Sequence, residues 1–222
     1  PLAANIDSLV DSPTNGTQTD TGLGSEVVGN YATMNPLAMV SGLTLSNGNL
    51  DAAGSAVHGC VTSTIFASSG KYYFEYTLNT YQNDTAVGVV STDANPREDY
   101  LGETASSVGY LADGRVFQSG SATSYSSYAA GDVIGVAFDV DTGKIWFAKN
   151  NTWLNSGDPA AGSNPVKTIT GGKPLGAGYR GVGSGAGSFN FGQRAFAFNA
   201  PTNFKSLNSA SLPTPTIADG SK

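Results

Sequence analysis

Two carboxylates stand inside apolar runs, and they are the first candidates for chemistry. Glu75 lies in Gly70-Lys71-Tyr72-Tyr73-Phe74-Glu75-Tyr76, and Asp139 in Val136-Ala137-Phe138-Asp139-Val140. Two carboxylates about 5 to 9.5 Å apart can hydrolyse a glycosidic bond. The glutamates are Glu26, Glu75, Glu98 and Glu103, and none has the Glu-x-Asp-x-x-Glu spacing that would set such acids on one strand face. Glu75 and Asp139 therefore read as structural. His58 and Cys60 sit two apart, which suggests a metal, but zinc generally wants four ligands and the chain has no second His or Cys. The same shortage leaves His58 as the sole base and removes a Ser-His-Asp or Cys-His triad. Asp93, Asn95, Glu98 and Asp99 offer oxygens in one loop, yet calcium needs six to eight ligands and this spacing matches no calcium loop. The expectation is no catalytic residue, no metal and no cofactor.

A different chemistry is written in the loops. Asp99-Tyr100, Tyr125-Ser126-Ser127-Tyr128, Trp153 and Tyr179-Arg180 combine Tyr and Trp with Ser, Gly and Asn. Binding surfaces have this composition, because rigid rings supply contact area while small polar residues adapt their hydrogen bonds. Asp99, Tyr100, Tyr125, Tyr128, Trp153, Tyr179 and Arg180 are the candidate ligand-binding residues. The competing reading is that the tyrosines cap a core with the ring and leave the hydroxyl wet.

Strands must position these loops. Glycine is frequent, at 29 residues, only 13% of residues are charged, and no stretch of a dozen residues repeats apolar positions at three and four. Gly70 to Leu78 places aromatics on both parities, as in a strand covered on both faces, and Ala86-Val87-Gly88-Val89-Val90 reads as a second interior strand. Val108 to Leu111 and Val116-Phe117 flank a turn at Ala112-Asp113-Gly114-Arg115. Asn47-Gly48 suits a two-residue hairpin, and Asn35 before Pro36 is held extended. Pro174 to Tyr179 and Ser188 to Phe191 supply the last strands. The glycine run from Gly181 to Gly187 between them is a turn or bulge, since no helix pattern and no Gly-Lys-Ser/Thr follows it.

Register is arguable in Gly131 to Asn150. A four-residue turn over Asp141 to Lys144, with Gly143 left-handed, sets Val140 opposite Ile145 and Phe138 opposite Phe147, so the apolar residues share a face. Trp146 then falls on the other face beside Ala137 and Asp139, under a covering loop or at a surface.

These residues resemble the SPRY family. Gly131-Asp132-Val133-Ile134-Gly135-Val136-Ala137-Phe138-Asp139, then Gly143 and Lys149-Asn150, look like its core, and Gly70-Lys71-Tyr72-Tyr73-Phe74-Glu75 is similar to its early strand. Asn190-Phe191-Gly192-Gln193-Arg194-Ala195-Phe196, with Pro201 and Phe204-Lys205, resembles its closing motif. The usual Pro of that motif is Ala195, and Asn151 replaces the Gly that would follow Asn150. The resemblance implies an all-β, two-layer antiparallel β-sandwich of the concanavalin A-like jelly-roll type, with a ligand surface on loops at one end. Tyr31 to Leu37 and Leu45 to Leu50 are similar to segments preceding the core in SPRY modules of bacteriophage virion proteins.

The expected organisation is an extended N-terminal arm or linker over 1–30, the sandwich over 31–208 and a C-terminal linker over 209–222, one module of a longer protein. With 11 Lys plus Arg spread along a chain of formal charge -6, nucleic acid is not an expected partner. No run approaches the roughly 20 apolar residues needed for a membrane span. Cys60 is the only cysteine, so no intrachain disulfide forms. The expected function is a non-enzymatic binding module of a phage tail, fibre or decoration protein that recognises a host-surface glycan or protein. It would be located in the virion, and a homo-oligomer is possible by analogy with fibres. The rivals are an architectural module packed on other virion subunits and, last, a polysaccharide-degrading enzyme.

Overall fold

The computed structural model describes residues 29–54, 60–97 and 99–213. Most of the expected N-terminal arm, His58, Glu98 and the chain after Pro213 lie outside the described residues.

Among the described residues, short β-rich runs separated by glycine and asparagine turns become sixteen strands. In chain order they are β1 Met34–Met39, β2 Leu43–Ser46, β3 Asp51–Gly54, β4 Val61–Ser63, β5 Lys71–Thr80, β6 Ala86–Ser91, β7 Ser107–Leu111 and β8 Arg115–Gln118. There follow β9 Ser121–Ser124, β10 Val133–Asp139, β11 Lys144–Lys149, β12 Thr152–Trp153, β13 Lys167–Thr168, β14 Leu175–Arg180, β15 Ala186–Asn190 and β16 Lys205–Ser206. The seven-stranded sheet runs β1-β4-β14-β6-β7-β8-β9 and the nine-stranded sheet β12-β11-β10-β5-β15-β3-β2. β13 pairs with β11, and β16 joins β5 in parallel beside the antiparallel β15. The fold is thus the expected two-layer antiparallel β-sandwich.

Between the layers lies an aromatic core. Phe74, Phe138, Phe147, Phe189 and Phe191 are fully buried there with Tyr76, Tyr110 and Tyr179. The Phe189 and Phe191 rings stack at 5.5 Å. Placing aromatics on both parities of β5 has the expected consequence. Phe74 and Tyr76 face the main core, while Tyr73 enters a second cluster with Ala137, Trp146 and Phe204 on the outer face. The closing segment covers that face: Phe196 sets its ring edge-on to Tyr73 at 5.0 Å, and Phe204 does the same to Trp146 at 6.1 Å. Trp146 is therefore under a cover, and its Nε1–H donates to the Ser163 carbonyl at 2.7 Å.

The β10–β11 register departs from expectation by two residues. Phe138 pairs with Ile145 and Val136 with Phe147. Because a two-residue slip preserves the face, Phe138 and Phe147 still share the core. The cause lies at Asp139, whose carboxylate accepts the Asp141 N–H at 3.0 Å and the Thr142 N–H at 3.3 Å, so the turn begins earlier. Val140 donates instead to the Gly70 carbonyl. Gly143 does take a left-handed φ of +70°, and a Cβ there would strike the Ile169 carbonyl oxygen. Asn47-Gly48 likewise belongs to a four-residue connection, since Ser46 pairs with Asp51. Asn47, Gly48 and Asn49 all have positive φ. At Asn150-Asn151, where a glycine was expected, both asparagines are left-handed (φ 46° and 67°) and close a tight turn in which Lys149 pairs with Thr152.

Candidate functional site

The described part of the β6–β7 connection, residues 92–97 and 99–106, folds over the outer face of the seven-stranded sheet. Its anchor is Leu101, fully buried against Cys60, Ala86, Val90 and Leu111. Glycines make room for it: a Cβ on Gly178 would sit 2.8 Å from Leu101 Cδ1, and one on Gly109 would sit 2.9 Å from the Leu101 carbonyl oxygen. Two local closures shape the loop on either side. Asp99 Oδ2 accepts the Asn95 N–H while the Asp99 N–H donates to the Asn95 carbonyl. Glu103 Oε2 accepts the Tyr100 N–H, and the Glu103 N–H donates back to the Tyr100 carbonyl.

This fixes Tyr100 beside the end of β14, where the Arg180 guanidinium lies 4.7 Å from the centre of the Tyr100 ring. Stacking of this kind orients a guanidinium and leaves its edge free for hydrogen bonding. Arg180 Nε is buried and has no acceptor among the described residues. Burial lowers the Arg180 pKa; Asp84, Tyr100 and Glu103 oppose that shift, and the neighbouring Arg115 adds to it.

Arg115 is held differently. Its guanidinium binds Asp113 at 2.6 Å and Asp84 at 2.7 Å, and it lies 5.1 Å over the Phe117 ring. Burial works against its charge, but the two aspartates outweigh burial and raise its pKa. Together, Tyr100, Arg180, Arg115 and Phe117 form a half-buried aromatic and guanidinium surface rimmed by Asp84, Asp113 and Glu103. Aromatics and arginine dominate the binding energy of protein interfaces.

Of the sequence candidates, Tyr100 and Arg180 come together here, while Asp99, next to Tyr100 in sequence, turns its carboxylate to the Asn95 N–H. Tyr179 and Tyr128 do not: they are 0% and 1% exposed, with rings in the main core. Tyr179 alternates with Arg180 along β14, so one side chain points in and the other out. Its hydroxyl donates to the Gly185 carbonyl at 3.0 Å. Tyr128 inserts between the sheets, packs on Tyr110 at 4.8 Å and donates to the Tyr110 carbonyl at 2.9 Å. Burial pushes both phenols up. Tyr125 is half-buried against the main core, while Trp153 packs on the Trp146 cluster outside the other sheet. Asp84, Asp113, Arg115 and Phe117 were not among the candidates. Asp84 and Arg115 are 31 residues apart in sequence, and only the β6–β7 and β7–β8 pairings join them.

The other polar candidates serve the fold. Glu75 accepts the Ala197 and Phe198 N–H groups, both at 2.8 Å, and the Tyr73 hydroxyl at 3.1 Å. Asp139 caps its turn and sits 3.9 Å from Lys71. Glu75 is opposite Gly135 on β10, four residues from Asp139, or about 13 Å at the usual strand rise. That exceeds the span of a glycosidase pair. Asp93 pairs with Lys173 at 3.2 Å. Cys60 is buried, and its thiol is pushed up to about 12 by that burial and by Asp99. No group of three or more His, Cys, Asp or Glu side chains suited to a metal occurs among the described residues.

Comparison with known proteins places this geometry. Residues 71–159 match the sequence model of the SPRY domain. A stretch of 98 residues, 43% of the chain, is 32% identical to the dual specificity protein kinase splA of Dictyostelium discoideum, and it spans only 4% of that curated relative. Among solved structures, the TRIM65 PSpry domain superposes with a TM-score of 0.56 at 14% identity, covering 72% of this chain and 90% of that one. The SPRY domain of human HERC1 gives 0.52 at 19% identity, covering 70% of this chain and 96% of that one. The sheets thus share the sandwich fold of these SPRY domains.

Proposed function

We propose that this chain is a non-enzymatic protein-interaction module that docks its partner on the Tyr100–Arg180 surface. The observation that carries the reading is the half-buried Arg180 guanidinium, oriented at 4.7 Å over a ring that the buried Leu101 holds in place. An interface that supplies a carboxylate or carbonyl to the accessible part of this half-buried guanidinium and an apolar group to Phe117 would bury a pre-ordered arginine at small entropic cost. The acidic rim of Asp84, Asp113 and Glu103 favours a partner patch that also carries a basic residue.

The finer setting belongs to the same proposal. Tyr31 to Leu37 and Leu45 to Leu50 support a phage tail, fibre or decoration protein, with the surface turned to a host-surface protein in the extracellular virion. The test is affinity capture from host envelope extract on the immobilised chain, compared with Tyr100→Ala/Arg180→Ala and with Trp153→Ala. A host protein retained by the native chain and by Trp153→Ala, but lost with the double variant, is the expected result. Equal retention by all three overturns the reading.

A further inference from the structure

Each edge of a sheet presents unpaired backbone groups and needs protection against pairing with another chain. Among the described residues, three of the four edges have it. β1 carries Pro36 and a register shift between Met34 and Met39. β12 is only two residues long. β2 lies against β1, with Leu43 buried. β9 has none of these devices. Ser121-Ala122-Thr123-Ser124 contains no charge and no proline, keeps regular register with β8, and is exposed at all four positions.

Its hydrogen bonding can be followed residue by residue. Ser119 and Gly120, with φ of 53° and 70°, close the β8–β9 turn between the paired Gln118 and Ser121. At the far end the Tyr125 N–H donates to the Gly114 carbonyl at 2.8 Å. Antiparallel alternation then turns the backbone groups of Ser121, Thr123 and Tyr125 toward β8 and those of Ala122 and Ser124 outward. The outward N–H and C=O groups have no partner among the described residues. Thr123 pairs with the buried Val116, so its side chain points to the inner side, where Lys167 Nζ of β13 lies 3.2 Å from its hydroxyl. Lys167 has no carboxylate partner among the described residues.

We propose that β9 is a second docking edge, onto which an extended segment of a partner protein adds as a further strand with an acidic side chain set against Lys167. The inference is independent of the Tyr100–Arg180 reading. The added strand bonds to Ala122 and Ser124, and its inward side chain meets the lysine. Lys167 also argues against a second copy of this chain, because pairing β9 with itself would bring two such lysines toward one another.

The test uses the full chain and two synthetic peptides, a Thr/Val strand with Asp at alternate positions and its Lys counterpart. Titration followed by amide hydrogen exchange should show the Asp peptide protecting Ala122 and Ser124. It should bind about threefold to fivefold more tightly than the Lys peptide, the effect of one partly exposed ion pair. Ala122→Pro should weaken binding by about tenfold or more with the melting temperature kept, since the N–H it removes points away from β8. Ser124→Pro gives the same readout if Ala122→Pro does not fold, and Lys167→Glu should reverse the peptide preference. Protection at other amides, equal binding of both peptides, or a concentration-dependent dimer abolished by Ala122→Pro would each overturn the proposal.

Discussion

Replacing Glu75 by alanine removes the carboxylate that ties the closing segment to β5, and its cost follows from the geometry. The carboxylate takes three hydrogen bonds, from the Ala197 and Phe198 N–H groups at 2.8 Å and from the Tyr73 hydroxyl at 3.1 Å. Ala197 is exposed and Phe198 half-buried, so water can recover part of the loss, whereas the Tyr73 hydroxyl is left in a buried site. With hydrogen bonds to charged groups at about 1.5 to 3 kcal/mol each, a net loss of about 2 to 4 kcal/mol is expected. In a domain of this size that lowers the melting temperature by roughly 4 to 15 °C.

Glu75→Gln separates the charge from the shape. Burial raises the Glu75 pKa, against the two backbone N–H groups, the Tyr73 hydroxyl and Arg194, which lower it. A folded-state pKa above the unfolded value means that this contribution to stability is complete below the unfolded pKa and is lost as pH rises through the folded pKa. Glutamine has no such titration. Urea melts of both proteins at pH 4 and pH 7 should therefore show the advantage of Glu75 over Gln shrinking at the higher pH. An advantage that is constant, or that grows toward pH 7, refutes the reasoning, because the N–H groups would then be stabilising the ion by more than burial costs it.

Trp146→Phe deletes the bond to the Ser163 carbonyl and part of the ring face against Phe204; a loss of about 1 to 3 kcal/mol is expected in chemical denaturation. Gly143→Ala must set a Cβ on the Ile169 carbonyl at a φ of +70°, so it should destabilise by about 1 to 3 kcal/mol and loosen the 139–144 turn, measured by amide exchange at Val140. Cys60, with its thiol pushed up to about 12, should resist a disulfide reagent at pH 8 in the folded chain and react at once in guanidinium.

Periodicity and turn chemistry made much of the fold legible before any coordinates. Glycine at Gly143, aromatics on both parities of Gly70 to Leu78 and the apolar run Val133 to Phe138 each dictate a local conformation and a buried face. The two-residue error in the β10–β11 register shows where that logic stops. A face is set by parity, which the sequence displays, but the starting point of the turn depended on an aspartate bonding two backbone N–H groups of its own loop.

The candidate surface was legible only in part, for a related reason. Composition marked Tyr100, Tyr128, Tyr179 and Arg180 alike, because a ring that caps a core and a ring that faces a ligand are the same residue type. Strand alternation separates Tyr179 from Arg180 once the strand is known, whereas insertion between the sheets hides Tyr128. What the amino-acid order determined by itself is what nearest neighbours decide: strand, turn and face. The meeting of Tyr100 with Arg180, of Asp84 with Arg115 and of Lys167 with Thr123 was decided by the tertiary structure alone, because those pairs are joined by hydrogen-bonded strands and packed loops that span dozens of residues.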